Sequence, residues 1–462
     1  MRLLSLKGGF FKMIDAASCG FLPGNNGAEN ALALQKAVNN GGTVTVTCPG
    51  LYDISEPVLL GDHTTLFFGA GVVLRRQPSS SSETGYVFVN RGAFTGTPNH
   101  NIKLIGLHLV CNEVQCGGEG EGKQIPGLRG HLSFFHIRNL EIRDFEALDL
   151  PAKDFGIHIC TFENVLIENV RIEGRKDAIH FGRGSKFAVR HGLFRTYDDP
   201  IALNAHDYAT SNPQLGWIEN GIIEDCYDLN DDSTVGYFCR VLAGSWTDWK
   251  EGMEVQNSDT VVCNGRLYRV IMPADGAVFR SVTPPSHTSG IAEYDGIRWV
   301  MVQEDVLYNC GCRNVHFKDI FLQKKRPVAF SLHFDKDAYS RSYYPGSQAP
   351  VQENIIFENI YFQNEIPVLL YSRTPVDTVK FINSVMQNSK IQLEDIETEG
   401  IVYPKTGILF SGVTLQGQGG LLVECSGRQS AELKMIGSLP EPDYSASVSG
   451  NVTVNEADIP IR

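Results

Sequence analysis

One short pattern keeps returning along this chain: Asn, apolar, any, apolar, any, Asn/Asp/Gly, apolar. It reads Asn101-Ile-Lys-Leu-Ile-Gly-Leu107, Asn139-Leu-Glu-Ile-Arg-Asp-Phe145 and Asn164-Val-Leu-Ile-Glu-Asn-Val170. It weakens at Lys186-Phe-Ala-Val-Arg-His-Gly192 and Asn220-Gly-Ile-Ile-Glu-Asp-Cys226. Full copies return at Asn314-Val-His-Phe-Lys-Asp-Ile320 and Asn354-Ile-Ile-Phe-Glu-Asn-Ile360, with degenerate ones at 378–384 and 407–413. Alternation over four or five residues means a strand with one buried face, and the polar residue that follows lets the next strand start on a new face. Successive copies lie 38, 25, 22, 34, 94, 40, 24 and 29 residues apart. The shortest intervals match one coil of a parallel β-helix, in which coils stack at ~4.8 Å. Longer intervals are coils with loops inserted at the turns. A βαβ sheet would need amphipathic helical segments of ~10–15 residues in these intervals, and they are missing. The expected fold class is therefore all-β, a parallel β-helix.

Residues 28–39 (AENALALQKAVN) form the one convincing helix, preceded by Asn25-Asn26-Gly27 and ended by Asn39-Asn40-Gly41-Gly42. A strand and tight turn follow over 42–52. This helix-plus-strand opening resembles the N-terminal cap of the pectin-lyase-like superfamily, which implies a right-handed β-helix with its open end covered. An uncovered end would expose strand edges and core. The 94-residue interval predicts a small inserted β-rich domain at 231–305, between a cap and first part of the β-helix at 1–230 and the remainder with a C-terminal tail at 306–462. Within it, Asn264-Gly265 between apolar runs predicts a hairpin. Trp246, Tyr268 and Trp299 are candidates for sugar binding there, set against a purely structural barrel.

Composition narrows the function classes. A formal net charge of −13 argues against a nucleic-acid partner, which needs clustered Lys and Arg. No apolar run approaches the ~20 residues of a membrane-spanning helix, so no membrane insertion is expected. The first apolar stretch, Leu3-Leu4-Ser5-Leu6, is shorter than the ~7–15 residue core of a secretory signal. The expectation is a secreted or periplasmic protein if a leader has been removed, and otherwise a cytoplasmic or phage-associated one. Of the 11 Cys, only Cys111/Cys116 and Cys310-Gly311-Cys312 are close, and neither forms a metal-binding framework. No metal and no cofactor are expected, and most cysteines read as buried small apolar residues.

The densest polar region is Arg175-Lys-Asp-Ala-Ile-His180 followed by Tyr197-Asp-Asp-Pro-Ile-Ala-Leu-Asn-Ala-His-Asp207. Asp177 and Asp198 are 21 residues apart, one short coil, so stacking places them on neighbouring rungs, with Asp199 adjacent. Crowded carboxylates repel when ionised, which raises at least one pKa and keeps a proton available near neutral pH. Glycosidic cleavage needs one carboxylic acid for the leaving oxygen and one carboxylate for water or the sugar carbon. Asp and Asn also line β-helix turns as side-chain caps, so Asp177 alone reads as a turn residue, and it is its conjunction with Asp198-Asp199 and the Ile201-Ala-Leu203 strand that points to catalysis.

Here the chain resembles polygalacturonases and their relatives, glycoside hydrolase family 28, over residues 13–230 and 306–420. Their Asn-Thr-Asp-Gly motif corresponds to Arg175-Lys176-Asp177-Ala178 and their Gly-Asp-Asp motif to Tyr197-Asp198-Asp199. The resemblance implies Asp198 as general acid, Asp177 and Asp199 as the residues that position and deprotonate water, and inversion at the anomeric carbon, which goes with carboxyl groups ~6.5–9.5 Å apart. The family's His-Gly falls on Asn220-Gly221, leaving His180 or His206 as substitutes. Its Arg-x-Lys, which binds the substrate carboxylate, has its nearest candidate in Lys324-Lys325-Arg326. Expected substrate-binding residues are thus His180, Asn204, His206, Asp207, Lys324 and Arg326, with His333, Asp335 and Asp337 lining the cleft from a later coil. A related β-helix α-galactosidase family also interrupts its helix with barrels, which keeps a neutral sugar open.

The expected function is a glycoside hydrolase acting on a carbohydrate substrate by an inverting, carboxylate acid/base mechanism. Two rivals stand beside it: a phage tailspike-like protein that binds or depolymerises a surface glycan, and a calcium-dependent polysaccharide lyase on the same fold. The short polar C-terminus over 437–462 predicts a monomer rather than a trimer.

Overall fold

The computed structural model describes residues 13–79, 85–115, 125–207, 211–231, 235–417, 422–438 and 447–456. One 27-stranded sheet system, parallel throughout, winds into a right-handed parallel β-helix. The registers reproduce the repeat spacings. Leu104 lies opposite Ile142, Leu140 opposite Val165, Val165 opposite Phe187 and Phe187 opposite Gly221. Gly221 lies opposite Val315, Val315 opposite Ile355, Ile355 opposite Val379 and Val379 opposite Ile408. Even the longest interval therefore begins and ends on adjacent rungs.

The recurring Asn is what bends the strand. Asn101, Asn139, Asn164, Asn220, Asn314 and Asn354 all have φ between 48° and 61°, a left-handed conformation that Asn adopts more readily than other side chains. The second polar position of the pattern bends the same way at Asp144, Asn169, Asp225, Asp319 and Asn359. Stacking then aligns the amides in a ladder. Asn139 Nδ2 donates to Asn101 Oδ1 at 2.9 Å, Asn164 to Asn139 at 2.8 Å and Asn354 to Asn314 at 3.0 Å. Between the turns, alternate residues such as Val165, Ile167 and Val170 point into one continuous apolar interior. Phe317, Phe357 and Phe381 stack there with centroids 5.1 and 4.9 Å apart, close to the coil repeat.

The capping helix runs Gly27–Val38, within a residue of expectation at each end. Asn26 and Glu29 form a reciprocal capping box at its start, and Ala31, Leu34, Ala37 and Val38 are buried against the first coil. Among the described residues no helix is long and apolar enough to cross a membrane. Eight of the ten described cysteines are buried and all ten are free thiols. Cys116, the segment 1–12 and much of the C-terminal tail lie outside the described residues.

Two expectations about the insertion need correction. Strand Cys239–Leu242 pairs with Ile201–Asn204 on one side and Val328–His333 on the other, so it is a rung of the β-helix. The inserted module therefore starts after this rung rather than at 231. Its five-stranded sheet is built from Thr247–Asp248, Thr260–Cys263, Arg266–Val270, Ile297–Gln303 and Ile291–Tyr294. The expected hairpin is present, with Asn264 and Gly265 at φ 51° and 72°. Trp246, Tyr268 and Trp299 are fully buried, which removes them as sugar platforms. The Trp246 indole N–H donates to Leu307 O at 2.6 Å, the Tyr268 hydroxyl to His287 O at 2.6 Å, and Trp299 sits in the module's own apolar cluster.

Candidate active site

Three successive rungs of one face, Ile179–Phe181, Ile201–Asn204 and Cys239–Leu242, carry the polar cluster. Ile179, Phe181, Ile201, Leu203, Cys239 and Val241 fill the interior. Strand alternation therefore turns His180, Ala202 and Arg240 outward, directly opposite one another. The aspartates lie in the turns that lead into these rungs. Ala178 N donates to Asp199 O at 3.1 Å, so Asp199, and not Asp198 as the 21-residue spacing implied, stacks over Asp177. Asp198 is displaced toward solvent: its side chain is 25% exposed, against 2% for Asp177 and 3% for Asp199.

One carboxylate oxygen from each of the three lies within 4.8 Å of the others, a spacing that grips a cation. The cation supplied by the fold is the Lys176 ammonium, which pairs with Asp198 Oδ2, sits 3.4 Å from Asp177 Oδ1 and lies 5.6 Å from the centre of the Phe155 ring. The 4.8 Å limit is a distance between selected oxygens, one from each residue, and not the ~6.5–9.5 Å separation of whole carboxyl groups that accompanies inversion.

Behind the trio runs a closed circuit of buried polar groups. Asp199 Oδ1 accepts from Tyr237 N at 2.7 Å, and its Oδ2 is 3.6 Å from Arg240 Nε. Arg240 Nη2 donates to Asp207 Oδ2 at 3.3 Å, which also accepts from Asn204 Nδ2 at 2.7 Å. His180 Nε2 lies 3.7 Å from that same oxygen, and its Nδ1 is 3.1 Å from Asp177 Oδ2. The His180 ring stacks on Phe155 at 4.0 Å. Burial, reinforced by Arg240, Lys176 and Arg129, pushes the His180 pKa well down and keeps the ring neutral. Burial raises Asp199 to about 8, with Asp198 and Asp177 adding to the rise and Arg240 opposing it. Asp198 is raised by burial and by Asp177, while Lys176 and Arg240 pull it back. At neutral pH the trio thus retains a proton, with its strongest hold at Asp199.

The residues expected to touch substrate fall elsewhere. His180, Asn204, His206 and Asp207 are all fully buried and support the aspartates from behind or, for His206, face Trp246 at 6.1 Å between ring centres. Lys324 and Arg326 are also fully buried, so neither receives a substrate carboxylate. Lys324 Nζ donates to Thr196 O at 2.5 Å, and Arg326 makes a two-point pair with Asp228 at 2.6 and 3.0 Å. Lys324 thereby braces the approach to the turn that presents Asp198, whose carbonyl accepts from Thr196 Oγ1 at 2.8 Å. His333 does stand on the same face, opposite Leu242, and pairs with Asp335 at 2.8 Å. Asp337 is spent on its own turn, accepting from Tyr339 N and Ser340 N at 2.8 and 3.0 Å. The sequence reading passed over Lys176, Tyr237 and Arg240. Lys176 stood inside the quoted motif, and the other two were hidden by placing 231–242 in the insertion. A cleft of about 550 Å³ is lined by Leu148, Glu173, Arg175, Arg195, Tyr197 and Asp231; none of the three aspartates of the trio lines it, and Tyr197 is the chain neighbour of Asp198.

No family model matches the chain. A curated glutamine–fructose-6-phosphate aminotransferase from Halalkalibacterium halodurans is 26% identical over 125 residues, covering 26% of this chain and 20% of that protein. The chain thus matches about a fifth of that relative's length. Among solved structures, the family 28 exopolygalacturonase of Yersinia enterocolitica is 13% identical, with a TM-score of 0.45 over 97% of this chain and 78% of that one. The pre-mature bacteriophage phi29 gene product 12 is 13% identical, with a TM-score of 0.47 over 96% of this chain and 55% of that one. A catalytic domain of GH87 α-1,3-glucanase in complex with nigerose is 10% identical, with a TM-score of 0.46 over 98% and 70%. Identities of this size assign neither a family nor an activity.

Proposed function

We propose that this protein is a glycoside hydrolase whose catalytic groups are Asp177, Asp198 and Asp199. The observation that carries this reading is the close-set, proton-retaining trio, with one member partly exposed and two buried. In this reading Asp198, the member that solvent and substrate can reach, protonates the leaving glycosidic oxygen. Asp177 and Asp199 orient and deprotonate the attacking water, and net inversion follows. A neutral His180 and a charged Arg240 hold those two carboxyls in place from behind. The substrate is a carbohydrate chain laid along the cleft past Tyr197, whose ring is exposed.

The test is digestion of a panel of neutral and uronic-acid polysaccharides, with three readouts. New reducing ends without ultraviolet absorption support hydrolysis. An unsaturated, absorbing product would replace it with a lyase, and retention of glycan without cleavage would leave a tailspike-like binder. Stereochemistry is read by proton NMR of the first product, which should show the inverted anomer. A retained anomer would make one aspartate a nucleophile, the arrangement found when carboxyls lie ~5–5.5 Å apart.

A further inference from the structure

We propose that Lys176 is a displaceable counterion, which holds Asp198 as a carboxylate in the free protein and swings onto Asp177 when a sugar enters over Asp198, letting Asp198 take up the proton it then gives to the leaving oxygen. This rests on the hydrolase reading and assigns a positioning residue for it.

The geometry has three parts. First, Lys176 stands at the mouth of the trio. Its side chain is 17% exposed, on the same side as Asp198, while Asp177 and Asp199 lie almost fully buried below. A molecule that reaches Asp198 meets the ammonium paired with it. Second, Lys176 has another acceptor within a short swing. Asp177 Oδ1 is 3.4 Å away, is buried, and among the described residues has no hydrogen-bond partner. The Phe155 ring, 5.6 Å from Nζ, gives the cation an aromatic face in reach of both carboxylates. Third, the proton is already in the site. Asp199 holds it in the free protein, and the carboxylate oxygens of Asp198 and Asp199 are within 4.8 Å. When Lys176 leaves Asp198, that proton passes from Asp199 to Asp198. Asp199 is left as a carboxylate beside Arg240 and backbone N–H of Tyr237, ready to take a proton from water. Charge is conserved: one proton moves, and the lysine exchanges one carboxylate for another.

The groups that act on Asp198 are Asp177, which with burial disfavours its ionised form, and Lys176 and Arg240, which favour it; Asp199, holding the proton, and His180 are neutral. Arg240 is committed to Asp199 and Asp207, so Lys176 is the cation whose removal Asp198 must feel.

The experiment is a carboxyl titration of protein labelled with ¹³Cγ-aspartate, with the Asp198 signal assigned by its loss in Asp198→Asn. Lys176→Met should raise the Asp198 titration in the free protein by about one pH unit or more, the size of effect an adjacent opposite charge exerts. Lys176→Arg should restore it, and melting curves check that both variants fold. In the wild-type enzyme the alkaline limb of the kcat/KM profile, which reports the free protein, should lie below that of kcat, which reports the complex. In Lys176→Met the two limbs should merge. An Asp198 titration unmoved by Lys176→Met overturns the proposal even in an active enzyme, as do coincident limbs in the wild type. A protein that cleaves no glycan overturns the hydrolase reading instead, while the titration still decides whether Lys176 holds Asp198 ionised.

Discussion

Two kinds of turn close the coils of this solenoid, and they use the same stacking for opposite ends. In the asparagine turns, Asn101, Asn139 and Asn164 lie one above another, Asn139 and Asn164 each donating to the side-chain oxygen of the one before. An amide both donates and accepts, so the row satisfies itself and is exposed to water at its edge. In the aspartate turns, Asp177 and Asp199 meet in the same rung-on-rung way, with Asp198 beside them. Carboxylates only accept, so stacking them costs stability unless protons or cations intervene. The fold provides both: a proton retained at Asp199, Lys176 for Asp198, and Arg240 for Asp199. Stacking that is structurally useful in one turn is electrostatically expensive in the other, and such expense is a mark of chemistry rather than of scaffolding.

The two turns share one interior, and the largest effect should come from damaging it. Ile167 is fully buried in the coil between Asn164 and Asn169. Ile167→Asp leaves an unpaired charge in that core, a loss of several kcal/mol, and the variant should fail to fold or melt far below wild type. An unchanged melting temperature would mean that the apolar interior is not what supports either turn.

A smaller effect separates the turns by pH. The unfolded chain releases the Asp199 proton near pH ~4, whereas the folded protein keeps it to about 8. Its contribution to stability is therefore complete below the unfolded value and is lost progressively as pH rises through that window. Asp199→Asn cannot ionise and escapes this loss. Its melting temperature should gain on wild type by several degrees between pH 5 and pH 8. A constant difference across that range would contradict the raised carboxyl.

The smallest effect concerns the ladder itself. Asn164→Ala loses the hydrogen bond to Asn139 and places a Cβ that has no compensating amide at φ 61°, for about 2 kcal/mol in total. Asn164→Gly keeps the backbone conformation and should cost about half as much. Equal losses in the two variants would show that strain plays no part in the turn.

Most of the fold was legible because a solenoid repeats its reasons. Alternation named the inward residues, Asn marked the bends, and the spacing of copies equals the observed register, even across 94 residues. The proximity of the aspartates was legible for the same cause, although the partner stacked on Asp177 is Asp199 and not Asp198. What alternation does not reveal is what lies over an outward-facing residue. His180, Asn204 and Asp207 do face outward, yet other segments of the chain cover them completely: Asn212 Nδ2, for one, donates to Asn204 O at 2.5 Å. Lys324 and Arg326 looked like free cations until Thr196 and Asp228 appeared beside them, 128 and 98 residues away in sequence. Partners so remote leave no local trace. Arg240 was missed because a rung of only four residues at the insertion's edge carries too little pattern to be told from it.

The central claim is that the aspartate turn exists for glycosidic cleavage, and Asp198→Asn tests it most directly. Turnover of the natural glycan and of an activated aryl glycoside is measured beside melting curves, for this variant and for Asp177→Asn and Asp199→Asn. Removing a general acid should cost ~10²–10⁴ in rate on the glycan, with partial recovery on the aryl substrate, whose leaving group needs no proton. The two water-side variants should show no such recovery, and none of the three should melt below wild type. Wild-type turnover by Asp198→Asn together with a lowered melting temperature would contradict the account and return these aspartates to the turn structure of the solenoid.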